Sequence, residues 1–164
     1  MKTLLKIVGG IVVLLLAVLI VLRITGFPPK DRRPGLWLAG AANTQPVSDW
    51  AFTDQYYTIQ VETHPWYGIA HSVNTFCIAY NGQLYLASIH PGSAPYPGPR
   101  VWDQIVARNP NVRLRIGGQL YDRVLVHVTE QAEHDGVIQA QTKKYPKYKY
   151  GSDMAFNVFR VVSN

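Results

Sequence analysis

Residues 109–121, Asn-Pro-Asn-Val-Arg-Leu-Arg-Ile-Gly-Gly-Gln-Leu-Tyr, decide the fold. From residue 112 to residue 116 three apolar side chains alternate with two arginines, which is the two-residue period of a strand with one buried face. Gly117-Gly118 then supplies two positions that accept a positive φ, as a tight turn between antiparallel strands requires. A second stretch rich in apolar and β-branched residues runs from 119 to 129. The sequence therefore predicts a β-hairpin at this place.

A second hairpin precedes this one in the chain. Asn81-Gly82 stands between two apolar stretches, and this dipeptide is the strongest short signal for a two-residue hairpin turn. Further strands are predicted where β-branched and aromatic residues are concentrated between turn residues. The predicted strands outside the first hairpin are residues 56–63, 69–80, 83–89 and 154–162.

Two short helices are predicted between the strands. Residues 101–108 follow a loop rich in proline and glycine, and they end before Asn109-Pro110, where proline cannot continue a helix. Residues 130–144 begin after Thr129, a suitable N-cap, and end on two lysines that suit the negative end of the helix dipole. Hairpins with short helices between them predict a mainly β (α+β) domain, an antiparallel barrel that is closed or partly closed.

The N-terminal region differs from the rest of the chain. Residues 4–22 consist mainly of Leu, Ile and Val and carry one charge, that of Lys6 near the N-terminal end. A helix of roughly 20 such residues crosses the hydrocarbon core of a bilayer. We therefore predict a transmembrane anchor over residues 1–25 that contacts the lipid bilayer through residues 4–22, a linker over residues 26–34, and one domain over residues 35–164.

A cleavable signal peptide is the alternative to a retained anchor. The basic start at Lys2 and Lys6 suits a signal peptide, but the apolar run is longer than the usual apolar core and no small-residue cleavage site follows it. A retained anchor makes this a single-pass protein of the cell membrane. The signal-like start favours a domain outside the cytoplasmic face, which is the orientation we expect, whereas the four basic residues between 23 and 33 favour the reverse.

The charge of the chain excludes one class of partner. The formal net charge is +6, but Lys2, Lys6 and Arg23 flank the apolar segment and all 10 acidic residues lie beyond it. The remaining charge of +3 is ordinary for a protein surface, so we expect no nucleic-acid partner. Cys77 is the only cysteine, which leaves no intrachain disulfide, and its apolar surroundings predict an inert, buried thiol.

An ordered set of short motifs runs through the predicted barrel. It begins with a polar strand entry, continues through a strand that ends in serine, and reaches an arginine just before a helix. The hairpin that turns at Gly117-Gly118 then completes the set. The motifs are His71-Ser72-Val73-Asn74-Thr75, Leu84-Tyr85-Leu86-Ala87-Ser88, Arg100 with Val101-Trp102, Asn109-Pro110, the Val-x-Leu-x-Ile-Gly-Gly of residues 112–118, and Tyr121.

In this order, between residues 57 and 128, the chain resembles the split β-barrel flavin-binding proteins, namely the pyridoxamine 5′-phosphate oxidase-like group and its deazaflavin-dependent nitroreductase-like relatives. The resemblance implies a six-stranded split barrel with two short helices, usually a dimer, with FMN or a deazaflavin bound between barrel and partner subunit. In such proteins strand-entry residues, a hydroxyl at the end of the next strand and a basic residue near the helix start hold the phosphate. Carried over by position, the cofactor-binding residues are His71, Ser72, Asn74, Ser88, Arg100 and Trp102.

Two features depart from the pattern of those proteins. The FMN-binding members have an arginine where this chain has His71, and the deazaflavin-binding members have a basic loop where residues 62–68 are acidic and aromatic. A pocket with fewer cations holds a phosphate less tightly. Each candidate also has a structural alternative, for instance a hydrogen bond within the barrel for His71. Trp66, Tyr67 and Trp102 either stack on a ligand ring or fill the core.

Two functions from different classes follow. The first is a membrane-anchored flavin- or deazaflavin-binding oxidoreductase that acts on a small, lipid-soluble substrate, in which the cofactor carries the chemistry. The second is a non-enzymatic split-barrel subunit of a membrane complex, with a ligand-binding or assembly role, that has lost its hold on the cofactor. A haem-binding barrel is a third candidate function. The five histidines lack close metal-ligand spacing, so we expect no metal, and neither a nucleophile elbow nor a P-loop is present.

Overall fold

An apolar helix precedes a β domain in the computed structural model, which describes residues 1–93 and 95–163. Helix α1 (Lys2–Thr25) is long and apolar enough to cross a membrane, and none of its residues is buried. Gly26 ends the helix with a positive φ of 78°. The helix therefore has the length and composition that an anchor requires.

The described part of the domain contains eight strands, two α-helices and one 3₁₀ turn. Their bounds follow the predicted hairpins and helices closely. The strands are β1 (Ala41–Ala42), β2 (Ile59–Thr63), β3 (His71–Thr75), β4 (Cys77–Tyr80), β5 (Gln83–Pro91), β6 (Asn111–Ile116), β7 (Gln119–His127) and β8 (Met154–Val162); the helices are α2 (Val101–Arg108) and α3 (Gln131–Lys144), and the 3₁₀ turn is Ala51–Gln55.

The sheet curls into a split, partly closed barrel. Its hydrogen-bonded order is β3-β2-β6-β7-β8-β5-β4, all antiparallel, with the short β1 parallel to β7. The two end strands, β3 and β4, are separated in the chain by Phe76 alone. One bent segment therefore forms both edges, which makes the sheet a barrel. The predicted barrel class is confirmed, but six strands become eight because Phe76 divides the predicted strand 69–80 and residues 41–42 add a short one.

Both predicted hairpin turns are present. Asn81 and Gly82 have φ values of 49° and 75°, and Gly117 and Gly118 have φ values of 59° and 85°. A positive φ at both central positions gives the turn whose twist matches that of the flanking strands. Gly117 has a second requirement, because a Cβ there would lie 2.3 Å from the Tyr56 hydroxyl oxygen.

The helices lie outside the barrel and cover it in part. Helix α2 has the predicted bounds, and its Trp102 and Val106 join the barrel core around Leu86 and Phe159. Helix α3 buries Val137 in a second apolar cluster on the outer face of β4, β5 and β8.

The predicted N-cap of α3 is wrong. Glu130 is the N-cap, and its carboxylate accepts hydrogen bonds from the backbone N–H groups of Ala132 and Glu133. A carboxylate both pairs these N–H groups and neutralises the positive end of the helix dipole. Thr129 therefore stands one position before the helix cap.

Candidate functional site

A cavity of about 730 Å³ opens beside the barrel. Its walls come from β3, the end of β5, the start of α2, the linker and the segment before β8. This volume lies in the range of pockets that bind small molecules and cofactors. The candidate residues that line the cavity are His71, Asn74, Ser88, Arg100 and Trp102.

Ser72 is the candidate that does not line the cavity. Its side chain is fully buried, and its backbone N–H and C=O both pair with Gly35, which directly follows the linker, at 3.0 and 2.8 Å. The linker therefore covers this residue. The other five candidates come from three separate elements that barrel closure brings to one place.

Arg100 stands at the N-terminus of α2, where backbone N–H groups favour an anion. Its Nε and Nη2 donate to the carbonyl oxygen of Ile89 at 3.3 and 2.9 Å. These bonds hold the guanidinium at the cavity wall. A guanidinium has five donors, so it can hold this carbonyl and bind a ligand oxygen at the same time.

A buried polar group lies behind Ser88. Asp103 is fully buried, and its Oδ2 accepts a hydrogen bond from Asn157 Nδ2 at 3.1 Å. Burial raises the pKa of Asp103, and the nearby Ser88 hydroxyl and Asn157 amide offset part of that rise. Among the described residues, Ser88 Oγ, His90 Nε2 and Asp103 Oδ1 have no hydrogen-bond partner. Buried polar atoms without partners indicate positions for water or for ligand atoms.

His71 begins β3 and lines the cavity. Its Nδ1 is buried, with no hydrogen-bond partner within residues 1–93 and 95–163. Burial lowers the pKa of His71, so the ring is neutral at pH 7 and offers a hydrogen bond rather than a charge. In the same described ranges, no three His, Cys, Asp or Glu side chains converge as a metal site would need.

Aromatic rings form much of the cavity wall. Tyr57, Phe76, Tyr148 and Tyr150 line it together with Trp102. The ring centroids of Phe76 and Tyr148 are 5.0 Å apart, and those of Tyr57 and Phe76 are 6.0 Å apart. Such a wall offers a flat ligand a stacking surface. The four tyrosine and phenylalanine rings were not predicted, because they come from three separate parts of the chain and follow no motif.

The loop aromatics divide between core and surface. Trp102 is 7% exposed and packs against Phe159 with ring centroids 5.3 Å apart, while it also lines the cavity. Trp66 and Tyr67 are 88% and 54% exposed, so core packing is wrong for these two. They line a second hollow of about 350 Å³, together with residues of α2 that include Arg108.

The linker forms one wall of the main cavity, which the sequence did not predict. Asp31, Arg32, Arg33 and Pro34 line it, and Asn74 Nδ2 donates to the Asp31 carbonyl oxygen at 3.1 Å. The linker has no strand or helix period, so nothing in its pattern indicated a place in the site. Asp103 was also missed, because a carboxylate in the first turn of a helix is ordinary on a protein surface.

No family model and no curated protein matches the chain in sequence. Solved structures match in fold. A conserved hypothetical protein from Mycobacterium tuberculosis is 13% identical with a TM-score of 0.51, over 74% of this chain and 86% of that one. An F420-H2 dependent reductase is 21% identical with a TM-score of 0.49, over 65% of this chain and 94% of that one. A proposed pyridoxamine 5′-phosphate oxidase from Listeria innocua is 15% identical with a TM-score of 0.49, over 68% and 87%.

The structure of the Mycobacterium tuberculosis protein shares this fold. Together with the strand order, in which one segment bent at Phe76 forms both edges of the sheet, this confirms the predicted split-barrel fold. Identities this low show the fold alone. What those proteins bind is therefore not carried over to this chain.

Proposed function

We propose that the chain is a membrane-anchored oxidoreductase whose cavity binds FMN or a deazaflavin. The observation that carries the proposal is the composition of the cavity, which combines an arginine, a buried serine hydroxyl and a neutral histidine with five aromatic rings in about 730 Å³. A cofactor with a flat ring system and a phosphate-bearing side chain needs an aromatic wall and a wall of hydrogen-bond donors. Aromatic surface binds the ring, and charge-assisted donors bind the phosphate.

The residues present fit such a cofactor. His71 Nδ1 is buried without a partner in the described residues, and a ligand oxygen or N–H would satisfy it. Ser88 lines the cavity as well, with its hydroxyl next to the Asp103 carboxyl. Arg100 adds a fixed planar fork at a helix N-terminus. Asn74 and Trp102 complete the set, with an amide donor and a stacking ring. A bound flavin or deazaflavin would supply hydride transfer, while the protein supplies orientation and electrostatics.

The anchor is part of the proposed function. We place residues 1–25 in the cell membrane because the helix is long and apolar enough to span it. We place the domain outside the cytoplasmic face because the basic start of the sequence is like that of a signal peptide. A linker that lines the cavity keeps that cavity close to the end of the helix. The substrate we propose is therefore small and lipid-soluble, of the quinone or isoprenoid class. The working unit we propose is a homodimer.

Two arginines at opposite ends of α2 provide a matched test. Arg100 lines the cavity, whereas Arg108 lies outside it in the second hollow. A charge-assisted hydrogen bond contributes about 1.5–3 kcal/mol when it is buried, and solvent screening at this exposed residue reduces that to about 1–2 kcal/mol. R100A should therefore weaken FMN or deazaflavin binding roughly 5- to 30-fold, and R108A should leave it within about twofold.

The measurement is a titration of the full-length protein in non-ionic detergent, followed by tryptophan fluorescence. Wild-type protein that binds neither FMN nor a deazaflavin removes the proposal. Equal losses in R100A and R108A would also count against it, because the effect would then be general charge rather than contact in the cavity.

A second candidate function is favoured by a separate observation. Trp66 is 88% exposed and Tyr67 is 54% exposed beside the second hollow, and large exposed aromatics are enriched at protein interfaces. A non-enzymatic subunit of a membrane complex would use this surface. W66A/Y67A should then abolish co-purification of a stable partner from native membranes. If wild type and W66A/Y67A are both recovered without a partner and bind the cofactor with the same affinity, this candidate function is excluded.

A further inference from the structure

Most of the linker, together with the Gly35 that follows it, is folded onto the barrel as a strap, which we define as residues 27–35. Gly35 pairs with Ser72 through two backbone hydrogen bonds of 2.8 and 3.0 Å. Lys30 and Arg33 close a turn with two more, of 2.9 and 3.2 Å. Side chains of the sheet hold the strap as well: Asn74 donates to the Asp31 carbonyl oxygen at 3.1 Å, and Gln60 donates to that of Pro29 at 3.4 Å.

The strap is closely packed at one point. A Cβ at Gly35 would lie 2.3 Å from the Phe27 carbonyl oxygen, so only glycine fits where the two ends of the strap cross. The Phe27 N–H donates to the Trp37 carbonyl oxygen at 2.8 Å, and the Leu36 N–H donates to the Phe27 carbonyl oxygen at 2.7 Å. The turn at the tip of the strap is therefore held in a defined place on the cavity wall.

The turn brings charge to the cavity. Arg32 and Arg33 line it together with Arg100, and Asp31 is the one strap carboxylate among the lining residues. With His71 neutral, the formal balance of these four charged side chains favours an anion. Within residues 1–93 and 95–163, Arg32 and Arg33 form no ion pair with an acidic side chain. Two arginines of the strap thus line the cavity, and neither forms an ion pair with the described residues.

We propose that Arg32 and Arg33 form the second anion-binding element of the cavity, so that the segment that tethers the domain to the membrane also holds the ligand. The proposal rests on the proposed function and deepens it by naming the ligand class. Arg100 and Ser88 suffice for one phosphate, whereas three arginines around one cavity suit a ligand with two or more anionic groups. Arg32 and Arg33 would also supply the positive charge that the acidic and aromatic loop of residues 62–68 lacks.

Lipid headgroups are the competing source of anions for arginines next to a membrane helix. The experiment therefore uses full-length protein in a non-ionic detergent without phosphate, in which headgroups are absent. R32A/R33A is compared with K30A, because Lys30 belongs to the same turn but does not line the cavity. FMN, a deazaflavin cofactor and inorganic pyrophosphate are titrated separately, at several salt concentrations.

We expect R32A/R33A to weaken binding of the deazaflavin cofactor and of pyrophosphate, which carry several anionic groups, roughly tenfold and to flatten its salt dependence, since each exposed arginine contact is worth about 0.5–1 kcal/mol of binding, or a factor of about 2–5. Binding of FMN, which carries one phosphate group, should weaken less. K30A should stay within about twofold of wild type. R32K/R33K should keep part of the affinity, because it keeps the charge without the planar fork. Gly35→Ala, which displaces the strap and leaves both arginines in the chain, should lose as much affinity as R32A/R33A.

Equal affinities for wild type and R32A/R33A would overturn the proposal and leave the arginines to the headgroups. A loss in K30A as large as in R32A/R33A would overturn it too. If wild type binds neither FMN nor a deazaflavin, the proposed function fails. The pyrophosphate titration then tests separately whether the strap binds anions. Pyrophosphate binding that is lost only in R32A/R33A supports the strap, whereas no pyrophosphate binding, or the same binding in both proteins, refutes it.

Discussion

Tyr145 holds the aromatic wall of the cavity from behind, and removing its hydroxyl should loosen that wall. Its Oη accepts a hydrogen bond from the Cys77 N–H at 3.1 Å and lies 2.9 Å from the carbonyl oxygens of Tyr57 and Cys77. Its ring packs 4.4 Å from that of Phe76 and 5.3 Å from that of Tyr57, and both of those rings line the cavity. Burial raises the pKa of Tyr145, so the hydroxyl stays protonated throughout the usual pH range.

The cost of Tyr145→Phe can be worked out group by group. The Cys77 carbonyl keeps a donor, because Lys144 Nζ lies 2.8 Å from it. The Tyr57 carbonyl belongs to a residue that is 55% exposed, so water can replace the lost donor. The Cys77 N–H is left buried without an acceptor, which costs about 1–3 kcal/mol. The hydrogen bond that the Tyr145 hydroxyl donates to a carbonyl oxygen is lost as well. In total we expect a decrease of about 2–3 kcal/mol in the free energy of unfolding.

The assay is urea unfolding of the full-length protein in non-ionic detergent, followed by circular dichroism. Tyr67→Phe is the control, because Tyr67 is exposed and lies by the second hollow, and we expect it to change the free energy by less than about 0.5 kcal/mol. Cofactor affinity should fall in Tyr145→Phe as well, since two rings of the wall lose their support. A Tyr145→Phe protein as stable as Tyr67→Phe would refute the reasoning.

Three further predictions concern pH and backbone conformation. Burial lowers the pKa of His71 in the folded protein. The neutral ring therefore contributes to stability at a pH above the ordinary pKa of histidine, and this contribution is lost as pH falls. His71→Gln should lose less stability than wild type between about pH 7 and pH 5, as measured by thermal unfolding. Burial raises the pKa of Glu62 in the folded protein. The protonated carboxyl therefore contributes to stability at low pH, and this contribution is lost as pH rises. In the same assay the stability of Glu62→Gln relative to wild type should grow from about pH 4 to pH 8. Replacing a glycine of positive φ by alanine costs roughly 1 kcal/mol of stability, and Gly68→Ala, with open space around the new Cβ, should cost only that amount. Gly117→Ala should cost clearly more, because its Cβ would meet the Tyr56 hydroxyl. Equal urea midpoints for the two variants would contradict this.

The sequence was most informative where a single local rule applies. Asn81-Gly82 and Gly117-Gly118 adopt the turns that their conformational freedom allows, and α2 ends where Asn109-Pro110 stops it. The barrel class followed from these local features together with the resemblance. Phe76 could not be predicted as a break, because an apolar residue between two strand stretches fits one long strand equally well.

The site was predictable only in part, for a different reason. His71, Ser88 and Arg100 each occupy an ordered position in a motif, and barrel closure brings them to one cavity. Tyr148 and Arg32 reach the same cavity from opposite ends of the chain, and only tertiary packing brings them there. Periodicity says nothing about such contacts, which is why the strap and most of the aromatic wall were found from the structure alone.

The central claim is that the cavity binds a flavin-type cofactor. Its most direct measurement is the visible absorption spectrum of the full-length protein, purified in non-ionic detergent, incubated with FMN or with a deazaflavin and passed through gel filtration. We predict that one of the two cofactors elutes with the wild-type protein and that R100A retains much less of it. A protein that elutes colourless after incubation with either cofactor would contradict the claim.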